Sequence, residues 1–319
     1  MSRLGKKKVF VAWWCLSLAL SIVCSSLTNG AEAVVRWKTG RDVQNALARR
    51  FGVVKWSDGA GVRDRLERLA EMQRVAIFLD RRIDPDSRIQ IDVQDVSLAS
   101  LLELPVVNAF SGLPAGALGD TSPNWVTCPW PPQFLEMLDY QWNVKTIPYW
   151  KEAGKFAEDH GVKVGFEMHP GMLVYNVETL LRLRDAVGPV LGCNFDPSHL
   201  FWNGVDPVAA IRKLGDAIFH VHGKDVYVDE LNISVNGCND NKPYDQILDR
   251  AWTFRSIGYG HGLKVWKDII STLRLVGYDY VISIEHEDAL MSTDEGLAKG
   301  VATLKEACIV DPAGEMFWA

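Results

Sequence analysis

Five apolar runs, separated by Gly-containing turns and helical patterns, constrain the fold of this chain more than any other feature. They are VVNAFSG (106–112), VKVGFEMHP (162–170), VLGCNFDPSH (190–199), AIFHVHGKD (217–225) and YVISIEHED (280–288). Helical periodicity fills the segments 134–161, 178–188, 206–215 and 264–277. Strands buried on both faces read as continuous apolar runs, so this alternation predicts a parallel sheet covered by helices. Polar residues gather at the C-terminal ends of the runs, where an α/β barrel assembles its active site. The expected fold class is therefore α/β, of the (β/α)8 TIM-barrel type, over residues 104–319.

Side chains alternate across a strand, which sorts the polar residues by face. In GFEMHP, Glu167 shares a face with Gly165, while Phe166 and Met168 look the other way. Asp196 lies with Asn194, His220 with His222, and Ser283 with Glu285 and Glu287. Four neighbouring strands thus each direct an acid or an imidazole at a common axis. Glu167, Asp196, His222 and Glu285 make an oxygen-plus-imidazole set for a divalent cation, and Mn²⁺, Mg²⁺, Co²⁺ and Zn²⁺ all accept such ligands. All seven histidines fall between His160 and His286, the span that holds these strands. His199 is expected on the loop after Asp196, as a metal or substrate ligand. His169 and His286 are expected to face the helix layer. His220 is expected either to pack in the inner layer or to support His222, and His160 to cap a helix end beside Gly161.

Two further clusters bear on a ligand. Residues 226–262 are too long for a plain strand-to-helix loop, and they carry Arg250, Arg255 and His261 interleaved with Trp252 and Phe254. They suit either a lid over a polyhydroxylated ligand or an ordered surface loop packed by its own aromatics. In PNWVTCPWPPQF (123–134), Trp125 and Trp130 suit either a stacking wall for a sugar or a plug at one barrel end. Lys224 and Asp225 follow His222 closely enough to orient it or to bind substrate hydroxyls.

The first third has another texture. Lys6, Lys7 and Lys8 precede an uncharged stretch from Val9 to Gly30, and Ala31-Glu32-Ala33 fits a small-x-small cleavage site. Residues 1–33 are therefore expected to be a secretory signal peptide or, through apolar residues 9–27, a membrane anchor. An exported or anchored location follows, or a cytoplasmic one if this stretch is a fused or mis-started segment. Residues 34–103 are expected to form a small αβ segment, similar to the module near the N-terminus of some secretin and envelope receptor proteins. Beyond the leader, Cys128, Cys193, Cys238 and Cys308 lack CxxC spacing and make no disulfide framework. Residues 1–103 hold 17 Lys and Arg against 12 Asp and Glu, whereas 104–319 hold 17 against 28. A surface that acidic does not suit a nucleic-acid backbone.

FSGLPAG, PNWVTCPWPP, FEMHPGMLVYN, NFDPSHLFW, HVHGKD, GYGHG and SIEHED together resemble the xylose-isomerase-like TIM barrels, in particular the sugar phosphate isomerase/epimerase group. The resemblance covers 104–319. It implies a divalent metal held by Glu167, Asp196, His222 and Glu285, the same four that strand alternation selects, with His199 in contact with substrate oxygens. VVNAFSG corresponds to the fourth strand of that family. The resemblance thus implies an incomplete barrel of strands 4–8, whose free sheet edges favour association into a homo-oligomer. The implied activity is isomerisation or epimerisation of a sugar or sugar phosphate. In it the metal polarises a carbonyl, while Glu167 and Glu285 move a proton at the adjacent carbon through an enediolate. Lys224, Asp225, Arg255, His261 and Trp125 complete the expected substrate contacts. Two rival functions are a zinc AP-endonuclease on the same fold, which needs histidines from the early strands, and a non-catalytic barrel fragment that keeps the ligands.

Overall fold

The computed structural model describes Leu20–Ile22, Val96, Ser97, Ala99, Ser100 and residues 104–316 of the 319-residue chain. Apart from those few residues, the expected signal or anchor segment (1–33) and the small αβ segment (34–103) lie outside the described residues. Among the described residues, no helix is long and apolar enough to cross a membrane. Cys128, Cys193 and Cys238 are free thiols, in agreement with their spacing.

In chain order the strands are β1 (Leu20–Ile22), β2 (Val106–Ala109), β3 (Lys163–Glu167), β4 (Leu191–Phe195), β5 (Ile218–Gly223), β6 (Asp225–Val228), β7 (Trp252–Arg255) and β8 (Ile282–Ile284). Strands β2, β3, β4, β5 and β8 are hydrogen-bonded in that order and are all parallel, with β1 antiparallel along the far side of β8. The helices are α1 (Gln133–Asp139), α2 (Ile147–Asp159), α3 (Val177–Val187), α4 (Pro197–Trp202), α5 (Pro207–Leu214), α6 (Glu230–Asn236), α7 (Leu263–Leu275) and α8 (Thr293–Ala307). A π-helical turn, Tyr140–Thr146, joins α1 to α2, so the single helix expected at 134–161 is interrupted.

The sheet is curled. Strands β2 and β5 have two strands between them, which puts them about 14 Å apart in a flat sheet. Their Cα atoms nonetheless approach within 8 Å. The α/β barrel architecture read from the sequence is thus present as a curled half-barrel, consistent with an incomplete barrel. Apolar strand residues fill its core: Val164, Phe166, Leu191, Phe195, Val221 and Ile282 are all buried. Trp150 of α2 packs edge-on against Phe166, with ring centroids 4.5 Å apart. Helix α7 buries Trp266, Ile269, Ile270 and Leu273, one stripe at helical spacing, as an amphipathic helix laid on a sheet must.

The excursion 226–262 is ordered and packed by its own aromatics, one of the two forms expected for it. Strands β6 and β7 pair antiparallel as a ribbon, from Asp225↔Arg255 to Val228↔Trp252, with α6 between them. The ribbon has a small core of its own, in which Trp202 and Trp252 stack at 4.4 Å with Val226, Ala251 and Phe254 around them.

Gly192 in β4 holds the sheet together at a close approach. A Cβ there would sit inside the van der Waals radii of the Ala217 carbonyl oxygen and the Phe219 ring, ahead of and within β5. Gly192→Ala is expected to lower the unfolding free energy by about 1–3 kcal/mol, the usual cost of overpacking. Urea unfolding would show this as a lower midpoint at unchanged slope, and an unshifted midpoint would contradict the close approach.

Candidate metal centre

The centre grows from the C-terminal ends of four sheet strands. Register places Glu167 beside Asn194 and Asn194 beside His220 in one row, and His222 beside Ser283 in another. Strand β4 is irregular between Cys193 and Asn194, a distortion that re-aims the residues after it. Asp196 lies just past that strand and is the N-cap of α4. Its Oδ1 accepts the Ser198 backbone N–H at 2.8 Å, and Pro197 occupies the first helical position. One carboxylate oxygen is thereby tied to the helix, and Oδ2 is left pointing elsewhere. This geometry corrects the expectation for His199, which stands in the first turn of α4 and not on a loop, because Asp-Pro-Ser starts a helix at once.

The other side chains converge on His222 Nδ1. Glu285 Oε2 lies 3.0 Å from it, Glu167 Oε2 3.2 Å and Asp196 Oδ2 4.0 Å. The ligand atoms of Glu167, Asp196, His222 and Glu285 all fall within 4.8 Å of one another. On the other side of Glu167, Oε1 lies 3.1 Å from His199 Nε2. Lys224 is buried among the acids, with Nζ 3.2 Å from Glu285 Oε1 and 2.8 Å from Glu287 Oε2. Its ammonium also sits 4.1 Å from the Phe254 ring centroid. The four residues that alternation selects, Glu167, Asp196, His222 and Glu285, are brought together in space, with Lys224 among the acids and His199 against Glu167.

Burial and mutual charge set the protonation of this cluster. For Glu167, burial pushes the carboxyl up, but hydrogen bonds from His199 and His222 hold it well below the usual carboxylate range. Burial pushes Asp196 up to about 8, and the neighbouring Glu167 and Glu285 charges add to it while Lys224 opposes them. His222 is lowered by burial, yet its bonds to Glu167 and Glu285 carry it up to about 10. Burial also pushes Glu285 up, and the Lys224 charge overrides it and brings the carboxyl to about 2. Lys224 itself is pushed down by burial and held well above its ordinary value by Glu285, Glu287 and Asp196. Burial, reinforced by the His169 ring, lowers His199 to about 3, so that imidazole is neutral.

Several expected substrate contacts are engaged by the protein instead. Asp225 is fully buried, and its carboxylate accepts from the backbone N–H groups of Val226, Gly258, Gly260 and His261, from His261 Nδ1 and from Trp266 Nε1, at 2.8–3.3 Å. It ties the GYGHG turn to β6 and has no capacity left for a sugar. His261 is held by that bond and by stacking on Phe201 at 3.6 Å. Arg255 gives its Nε–H to Asp288 at 3.2 Å. Trp125 packs edge-on against Tyr175, and its buried indole N–H makes no hydrogen bond. Trp130 is 72% exposed.

His286 packs toward α8 at Gly296 and His160 bonds the Phe156 carbonyl at its helix end, both as expected. His220 is buried in the inner layer, 2.9 Å from Ser283 Oγ. His169 is the residue that strand parity misplaced. It turns toward the cluster, with its ring 4.2 Å from that of His199. Asn194 is a second participant that sequence reasoning passed over, with Nδ2 3.1 Å from His222 Nε2. Its place beside Asp196 on the strand face was the available signal.

Residues 86–307 match the family described as "Xylose isomerase-like TIM barrel", starting upstream of Leu104. The chain is 46% identical over 220 residues to the uncharacterized protein YfiH of Bacillus subtilis, an alignment covering 67% of this chain and 70% of that protein. It is 29% identical over 118 residues to an inosose dehydratase of Clostridium beijerinckii, covering 31% of this chain and 40% of the dehydratase. The chain thus spans well under two thirds of that enzyme, and about half or less of further curated relatives. Among solved structures, a D-tagatose 3-epimerase-like protein is 23% identical with a TM-score of 0.48, over 78% of this chain and 85% of that one.

The bonds at Asp225 are open to a direct test. Each buried N–H left without an acceptor costs about 1–3 kcal/mol. Asp225→Ala is therefore expected to destabilise the protein by at least about 3 kcal/mol, and Asp225→Asn by less, since an amide oxygen remains. Urea unfolding followed by tryptophan fluorescence reads both variants. Wild-type stability in Asp225→Ala would return Asp225 to the substrate-binding candidates.

Proposed function

The chain belongs to the xylose isomerase-like TIM-barrel family, and from that premise we propose that it is a divalent-metal-dependent isomerase or epimerase of a sugar or sugar phosphate. The carrying observation is the convergence of three carboxylates and one imidazole from successive strand ends around a buried oxygen, Asp196 Oδ2, that accepts no hydrogen bond. An orphaned buried carboxylate oxygen is costly unless a cation meets it. The donor set of Glu167, Asp196, His222 and Glu285 fits Mn²⁺, Mg²⁺, Co²⁺ or Zn²⁺. Such an ion, when bound, supplies Lewis-acid polarisation of a carbonyl and its neighbouring hydroxyl.

The protein supplies the proton chemistry. Glu167 and Glu285 approach His222 Nδ1 from two strands and are both ionised at neutral pH, so each is able to accept a proton from carbon. Removal by one and return by the other from the opposite face inverts a carbon, whereas return to the neighbouring carbon exchanges aldose and ketose. Lys224 stays protonated and offers N–H donors to substrate oxygen. Asn194 orients His222: its Nδ2 now faces Nε2, and turning the amide would let Oδ1 accept Nε2–H and free Nδ1 as a ligand. The buried Lys224 ammonium also favours a second reading. It is a proton donor beside Glu285, suited to a departing hydroxyl, as in the loss of water that the name of the inosose dehydratase relative states.

Two outcomes are expected. In the metal-free protein His222 and Asp196, raised to about 10 and about 8, both hold protons at pH 7. Ligation must release those protons, so Mn²⁺ affinity should rise from pH 6 to pH 8. Calorimetry in buffers of different ionisation heat reads the release, and a buffer-independent heat would contradict it. In D2O, the Mn²⁺-loaded protein should wash deuterium into the carbon next to the carbonyl of a ketose from a panel of ketoses and inososes, with water loss marking elimination. Glu285→Gln should keep the fold and slow exchange at least about 100-fold. Unchanged exchange in that variant would sink the acid/base role.

A further inference from the structure

The cover beside the cluster carries an exposed aromatic ring on a rigid turn. Tyr244 is 60% exposed, and its ring stands 6.0 Å from that of Phe254 at an interplanar angle of 22°. Phe254 in turn lies edge-on to His199 at 5.4 Å and over the Lys224 ammonium at 4.1 Å. Tyr244 is therefore two ring contacts from His199, and it leans on the ring that covers Lys224. We propose that Tyr244 is a stacking platform for a second, neutral sugar ring, so that the substrate is a ketose joined to another sugar.

The rigidity of the turn is the first support. The guanidinium of Arg250, itself almost fully buried, lies 4.5 Å from the Tyr244 ring centroid and 4.6 Å from that of Trp252, and so braces both rings. Arg250 is fixed in its turn, giving Nε–H to the Trp252 carbonyl at 3.1 Å and an Nη1–H to that of Lys242. Asp240 accepts the backbone N–H groups of Lys242 at 3.0 Å and Ala251 at 2.6 Å, which closes the turn around the arginine. A ring held in place before its ligand arrives loses little freedom on binding, and more of the contact appears as affinity. One face of Tyr244 is taken by the guanidinium, so the opposite face is the one left for a ligand.

The surroundings select the class of ligand. A tyrosine ring offers an apolar face and a polar edge, which matches a sugar ring with C–H groups on its face and hydroxyls at its rim. Exposed Asn241, Asp245 and Gln246 stand on the same turn and supply the donors and acceptors that hydroxyls need. Charge argues against a phosphate here. Lys242 is paired with Asp240 at 3.0 Å, while Asp245 and Asp249 are exposed. That excess of acid repels an anion and is indifferent to a neutral ring. The inference rests on the ketose chemistry proposed above and names its substrate class.

The test compares isomaltulose, a ketose carrying a glucosyl ring, with D-fructose by saturation-transfer NMR on the full chain in Mg²⁺ buffer. Isomaltulose is expected to bind about tenfold tighter than D-fructose, the effect of one aromatic contact, with saturation reaching the glucosyl C–H protons. Tyr244→Ala should abolish both the preference and that saturation, and Tyr244→Phe should keep both. Tyr244→Leu repeats Tyr244→Ala with more volume retained, and far-UV circular dichroism checks that each variant folds. Equal affinity for the two sugars in the wild type, or a preference kept in Tyr244→Ala, overturns the platform and leaves the isomerase or epimerase reading standing. Absence of isomaltulose binding to the wild type overturns the platform as well. A preference that depends on Tyr244, without deuterium wash-in to either sugar, supports the platform and removes that reading.

Discussion

Confinement of like charges at the end of an apolar sheet is the constraint on which this molecule turns. Glu167, Asp196 and Glu285 are brought almost out of water within a few ångströms of each other, at the point where five parallel strands stop. Such a group is stable only if positive charge and hydrogen bonds meet it. Here the α4 N-terminus takes one oxygen of Asp196, Lys224 stands against Glu285, and His222 stands among all three acids. What balance remains is carried by protons on His222 and Asp196. The same imbalance suits the divalent cation proposed for this place, because one such ion replaces those two protons at equal charge and meets several oxygens at once.

The surrounding architecture holds that cluster in place. The ribbon of β6 and β7 is fastened at one end by Asp225, which collects donors from the GYGHG turn and from Trp266, and packed at the other by Trp202 on Trp252. Fastening of this kind puts Phe254 over the Lys224 ammonium and edge-on to His199. An apolar ring at that position excludes water from the buried amine and strengthens its pairing with the carboxylates. The excursion that suited either a lid or a packed surface loop is thus a folded cover with its own small core. Arg255 and His261 serve that cover through Asp288 and Asp225.

Strand parity placed residues correctly where the backbone stayed extended, and failed where the chain turned beyond β3 and β4. Glu167 ends β3 and His222 lies inside β5, and both point where alternation puts them. His169 is two residues past the end of β3, where the chain has already turned, so its ring meets His199 and not the helix layer. His199 shows the same limit: Asp196 and Pro197 cap a helix, and the ring is aimed by helical geometry. A reader alert to Asp-Pro-Ser as an N-cap signal would have found that turn in the sequence. Nothing in the sequence, by contrast, announced that five donors from distant positions would fill Asp225.

The amino-acid sequence by itself determined the order of the five parallel strands, the parallel α/β class and the four residues at successive strand ends, because apolar periodicity is a local property of the chain. Only the tertiary structure decided which polar groups share partners. Asp225 turned inward to fasten a loop, Glu167 divided its oxygens between two histidines, and His169 joined the cluster. The physical reason is that hydrogen-bond and charge partners more than 30 positions apart are set by where loops turn and how the sheet curls, and neither leaves a period in the sequence.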